Sequence, residues 1–350
     1  MFWDDLDEDS VIEFKKEISK LIKKSHIDVS PHECIICGKN IKGTCNSHIV
    51  PQMVLKRIAE DGMILQANSV WDTKFLDKKK GISNSGVFHY ICNDCDNTIF
   101  KDYEDICNII NIPSNKMLVE IALKNLLAIY SKRLFEINLF EKLLELSFPD
   151  NIYNVEIKRF IDTYNLDLRD YGYELNLCNN EIKNDCKNSL YDLFMWEKLP
   201  YRCPIAAQCV LALMKDMNGN IINNIYNYSD SYIIENMHLC VFPIERETIV
   251  MLFSLKENKR YRNFKYQIKH SMLDDKLNFV NWCIFKYCEN YYISPQIQRE
   301  VMDNKNLKNL SRENGLLPNF GVLDFDNLYE MSQLISVNEI PNILSNEYSI

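Results

Sequence analysis

The chain has 350 residues, enough for two domains, and its 47% hydrophobic and 25% charged residues are ordinary for a globular protein. Forty Lys+Arg against 49 Asp+Glu leave a net charge of −9, which argues against a generally basic nucleic-acid coat protein. Glycine occurs only 9 times, and no Walker A, GxGxxG, HExxH or GxSxG pattern is present, so phosphate-cradling loops, zincins and nucleophile-elbow hydrolases have no support.

The first ten residues carry five acids and no base, the reverse of a secretory leader. No run reaches the ~18 apolar residues of a membrane span. A cytoplasmic protein with no membrane association is expected. In that reducing compartment thirteen cysteines read as buried thiols or metal ligands, not as a disulfide framework. Ser10-Val-Ile-Glu13 has the form of a capping box, and residues 11–24 repeat as an amphipathic helix with a basic far side. Residues 1–30 thus form an acidic leader and helix.

Residues 31–110 are expected to form a small loop-rich unit, because five of the nine glycines (Gly38, Gly43, Gly62, Gly81 and Gly86) fall there. Ser114 is placed to cap a long helix that Pro149 would stop. Further amphipathic segments run to about Leu199, and 204–217 reads as another helix closed by Asn218-Gly219. His238–Phe242 and Thr248–Phe253 read as neighbouring strands, with a hairpin as one arrangement, and 273–288 as helix. The expected class is α+β, with residues 111–350 a larger, mainly helical α+β domain for recognition, oligomerisation or regulation.

The chemistry concentrates in residues 31–110. Cys34-Ile-Ile-Cys37-Gly38-Lys39 and Cys92-Asn-Asp-Cys95 are two C-x2-C pairs, and four thiolates at that spacing can hold one tetrahedral zinc ion. The 54 residues between Cys37 and Cys92 are too many for a compact ribbon, so an insert must have its ends gathered by the metal. The insert contains Ser47-His48-Ile49-Val50-Pro51. This order resembles the HNH family of His-Me finger (ββα-metal) endonucleases: cysteine pair, His-x-x-Pro hairpin, then a cysteine pair opening a helix. The resemblance covers residues 32–106, under a quarter of the chain.

The resemblance implies an N-terminal ββα-metal finger whose zinc on Cys34, Cys37, Cys92 and Cys95 is structural. It implies His48 as general base and Asp96, after the last cysteine, as a ligand of a catalytic Mg²⁺ or Mn²⁺ ion. The activity implied is hydrolysis of DNA phosphodiester bonds, with RNA as another substrate. A role in antiviral defence follows by analogy of context, with a homo-oligomer or a regulatory partner protein supplying control. The chemistry is coherent, since hydrolysis needs a base near neutrality and a hard cation to stabilise the phosphorane.

The sequence also departs from the family. Ser47 stands where an Asp or His usually ligates the metal, Ile99 stands where a Lys is usual, and Asn84 and His89 lie off the usual middle offset. These departures carry the alternative, a catalytically inactive zinc-stabilised module that binds nucleic acid or protein. In that reading His48 is a strand-end histidine on a backbone carbonyl, and Asp96 compensates a helix dipole. Cys45 reads as a packed hairpin thiol, His89 as structural, and Lys78-Lys79-Lys80 as a solvated loop. Cys107, Cys178, Cys186, Cys203, Cys209, Cys240, Cys283 and Cys288 lack paired spacing and read as core. Eight residues of the final helix span about 12 Å, so Asp96 and Glu104 are not expected both to bind the ion near His48.

Overall fold

The computed structural model describes residues 8–41, 45–66, 79–145, 151–225, 227, 229–312 and 335–350. The architecture is α+β. Nine strands are described: β1 Ser47–His48, β2 Met63–Gln66, β3 Lys80–Gly81, β4 Val87–Phe88, β5 Tyr191–Leu199, β6 Ile205–Leu211, β7 Met237–Pro243, β8 Thr248–Leu255 and β9 Tyr291–Ile293. Seven of them form an antiparallel sheet in the order β3-β2-β9-β6-β7-β8-β5, while β1 and β4 pair separately.

Both faces of this sheet are covered. Alternate residues of a strand point to opposite sides, so β6 sends Ala206 and Val210 to one core and Ile205, Ala207 and Cys209 to the other. The first core meets α5 (Asn115–Glu145) and the cysteine-rich unit, and the second meets α7 (Arg262–His270), α8 (Leu273–Tyr287) and α10 (Lys305–Arg312). Every residue of β6, β7 and β8 is buried. Double burial explains the correction at 204–217, which reads as helix but forms β6. Without a solvated face the strand shows no apolar–polar alternation, and Ala and Leu suit either period. The last of the amphipathic segments, 191–199, is strand β5.

Other expectations meet the structure more closely. The β7–β8 pair is antiparallel, from His238 opposite Phe253 to Pro243 opposite Thr248. Ser114 caps α5, its Oγ accepting from the Met117 N–H at 3.2 Å. Helix α1 spans Glu8–Asp28, so Ser10 lies inside the helix and does not cap it. Pro149, Gly43 and Lys78 lie outside the described residues. Seven of the eight cysteines after residue 100 are buried, but Cys107 is exposed.

Helix α5 and α6 (Asn151–Lys183) lie antiparallel, with Phe140 stacked on Phe160 and Arg133 over the Tyr164 ring. An ion network crosses them. Arg133 binds Glu136, Asp167 and Glu289, and Lys132 also binds Glu289 in the α8–β9 connection. Burial opposes ionisation of Glu289, but Lys132 and Arg133 outweigh it and hold its carboxyl down at about 2.

The cysteine-rich region does not stand apart from this frame. Strand β2 extends the large sheet by pairing with β9, Leu65 opposite Ile293. One apolar cluster joins Cys34, Leu55, Ile64 and Ile91 to Leu123 of α5 and Phe242 of β7. At about 1.5–3 kcal/mol for each fully buried large side chain, that shared cluster fixes the unit on the sheet.

Candidate metal centre and active site

The two cysteine pairs converge. The sulfurs of Cys34, Cys37, Cys92 and Cys95 all lie within 4.8 Å of one another, and Cys37 and Cys92 are 3.8 Å apart. Four thiolates at about 2.3 Å from one zinc ion stand about 3.8 Å apart, so the set is compatible with a tetrahedral zinc site. The first pair sits on a tight turn in which the Gly38 N–H donates to the Cys34 carbonyl at 2.8 Å. Gly38 has φ +68°, a left-handed conformation that glycine adopts without strain. The second pair begins α3 (Asn93–Ile99), with Cys92 at its N-cap and Cys95 buried one turn on. Burial raises the Cys34 thiol, but backbone N–H groups of Cys37, Cys92 and Ile36 outweigh it and bring it to about 7. A thiol that ionises near neutrality is suited to ligate a metal.

Strand β1 lies beside this knot. Ser47 is opposite Phe88 and His48 opposite Val87. The turn into β4 needs Gly86, which has φ +61°, and a Cβ there would sit 1.8 Å from the Tyr292 hydroxyl. His48 is half-buried, and its Nε2 lies 3.2 Å from the Ile82 carbonyl. A carbonyl only accepts, so in the neutral ring Nε2 carries the proton and Nδ1 keeps its lone pair. That is the bond of a merely structural strand-end histidine, and it is also the bond that presets a general base. His89 is structural, its Nδ1 lying 2.9 Å from the Cys45 carbonyl.

Asp96 belongs to the other side of β1. Ser47, fully buried, donates from Oγ to Asp96 Oδ1 at 2.6 Å, and the Cys45 thiol donates to Oδ2 at 3.5 Å. Burial, then Asp96, pushes the Cys45 thiol up to about 12, so it stays a donor. The Lys124 ammonium from α5 lies 3.5 Å from Oδ1, also binds Glu104, and sits 4.3 Å above the Phe100 ring. Neighbouring side chains on a strand face opposite ways, so Ser47 and Asp96 attend one face and His48 the other. Sequence reasoning placed Asp96 and His48 in one centre but missed Lys124. No local signal points to Lys124, which is twenty residues from Glu104 in the chain.

The final helix is also corrected. α3 ends at Ile99, and a separate turn of helix, α4, spans Ile106–Ile109. The Tyr103 N–H, which a continuing helix would aim at Ile99, donates to the buried Glu120 Oε2 at 3.0 Å. The chain leaves the helix after Ile99, and Asp96 and Glu104 both reach the Lys124 ammonium.

The catalytic divalent ion implied by the family resemblance does not fit these side chains as arranged. Three protein donors occupy the Asp96 carboxylate. A doubly charged ion on that carboxylate would have to displace the ammonium, or sit about 4 Å from it and lose about 8 kcal/mol of the carboxylate's attraction at an effective dielectric of about 20. Protein-family models, curated proteins and solved structures contain no match to the chain.

Proposed function

We propose that the chain is an HNH-type endonuclease that hydrolyses DNA phosphodiester bonds, with His48 as general base. The observation that supports this most is the His48–Ile82 hydrogen bond beside the four-cysteine cluster, which leaves Nδ1 as a basic nitrogen on a half-buried ring. Among the described residues, no hydrogen-bond partner is assigned to Nδ1. Zinc on Cys34, Cys37, Cys92 and Cys95 is the scaffold in this reading. A bound Mg²⁺ or Mn²⁺ would supply charge stabilisation of the phosphorane. No step is assigned to such an ion, because the Lys124 ammonium already neutralises the Asp96 carboxylate.

Within this reading His48 removes the proton of the attacking water at Nδ1, and the Ile82 carbonyl keeps the imidazole in the required tautomer. Residues 11–110 carry 14 Lys+Arg against 13 Asp+Glu, too even a balance for strong phosphate affinity. DNA would therefore be held with help from residues 111–350, from a second copy or from a partner protein. RNA as substrate and a place in antiviral defence remain attached to the same proposal.

A second reading is favoured by Lys124. With its ammonium on Asp96, the unit has kept its cysteine knot and lost the acidic half of catalysis, and it serves to bind nucleic acid or protein. Plasmid nicking with Mg²⁺ or Mn²⁺ separates the two. The first reading expects nicking that falls at least about 10²-fold in His48→Ala. Full activity in that variant refutes the base, and DNA binding without nicking under any divalent ion establishes the second reading.

A further inference from the structure

We infer that the Lys124 ammonium is the resident cation of the Asp96–Glu104 carboxylate pair, standing where an HNH-type centre would hold a divalent ion, so that the native chain takes up no divalent ion there. The inference rests on the likeness of the cysteine-pinned unit to that centre, and not on its being an active nuclease.

Lys124 is 1% exposed, while Asp96 and Glu104 are 20% and 34% exposed at their side chains. An ammonium is withdrawn from water to this extent only where counter-charges surround it. Here it has two carboxylates and the face of the Phe100 ring. The Ser47 hydroxyl donates to Asp96 at 2.6 Å and the Cys45 thiol at 3.5 Å, so all three neighbours of that carboxylate, Lys124 included, direct protons or positive charge at it. The lysine is anchored in the buried middle of α5, whose next residue, Asn125, donates to the Cys209 carbonyl at 3.2 Å. The cation at the site is thus supplied by the region after residue 110.

The test is Mn²⁺ uptake by the full chain with its four-cysteine site loaded with zinc, read from the electron paramagnetic resonance of free Mn²⁺. Wild type and Lys124→Arg are expected to show no Asp96-dependent site tighter than about 1 mM. Lys124→Gln is expected to gain one equivalent at least tenfold tighter, and Asp96→Asn in that background to lose it. A wild-type equivalent that Asp96→Asn removes overturns the inference, as does a folded Lys124→Gln protein that takes up none. Should Lys124→Gln fail to fold, the comparison of wild type with Asp96→Asn decides alone, absence of Asp96-dependent uptake upholding the inference. Nicking is scored separately. A wild type that neither nicks nor takes up Mn²⁺ refutes the nuclease reading and upholds this inference, whereas Asp96-dependent uptake with nicking does the reverse.

Discussion

Cys95→Ser removes one of the four sulfurs and tests how much of the fold a metal holds. The bridge would gather the ends of the 54-residue insert between Cys37 and Cys92. By loop-closure entropy, a cross-link over that length removes about 4 kcal/mol of freedom from the open chain. That figure is a ceiling, because Leu55, Ile58 and Ile64 pack the middle of the insert into the main core and β2 is paired with β9. The loss should therefore fall on the ends. The assay is amide hydrogen exchange by residue, with zinc measured by elemental analysis. The N–H groups of Cys34, Gly38 and Asp96, bonded at 2.8, 2.8 and 3.0 Å, should exchange up to roughly a thousandfold faster in the variant. Amides of β7, two strands from β9, should keep their protection. Unchanged protection at Cys34, Gly38 and Asp96 in Cys95→Ser, or full protection in a native protein free of zinc, would refute the argument.

Four further outcomes follow from Gly86, Tyr292, Glu120 and Glu289. Gly86→Ala places a methyl into the Tyr292 hydroxyl at positive φ and should cost about 1–3 kcal/mol by denaturant unfolding. Tyr292→Phe alone should be neutral or stabilising, since that hydroxyl is buried without a partner among the described residues. Burial first, then Asp102, raises the Glu120 carboxyl to about 7, against its bond from the Tyr103 N–H and the nearby Lys116. A raised acid favours the fold fully below about 4.5 and loses that contribution as pH rises through 7, up to about 3 kcal/mol. Glu120→Gln should flatten the stability profile over that window, and parallel profiles would dismiss the effect. Glu289 has the opposite sign. Its contribution is whole above about 4.5 and is lost as pH falls toward 2. Glu289→Ala should cost about 3 kcal/mol at pH 7 by leaving Lys132 and Arg133 short of a counter-charge, and a loss under 1 kcal/mol would show that Glu136 and Asp167 suffice.

What the sequence made legible was whatever short spacing encodes. The C-x2-C pairs announce the cysteine cluster because each pair is nearly preformed by its own turn. Ser114 is readable because a cap acts within three residues. Strands β7 and β8 are readable because β-branched and aromatic residues fill short runs between turns. Strand β6 is not, because burial on both faces erases the alternation that marks a strand. His48 lies on a strand, β1, as the motif implies, but the strand's partner β4 and the acceptor of the ring, the Ile82 carbonyl in a 3-10 turn, lie far along the chain.

The acidic half of the site shows why residues 31–110 cannot be read as a self-sufficient finger. Glu120 and Lys124 stand four apart on α5 and so share one face of that helix. Glu120 takes the Tyr103 N–H that a continuing α3 would give to Ile99, and Lys124 takes both Asp96 and Glu104. Both contacts fall on the segment around and after the end of α3. One face of α5 therefore sets both the path and the charge of the segment after the last cysteine. A motif confined to residues 32–106 carries the cysteine cluster and the histidine, while the charge at Asp96 is decided by a helix outside it.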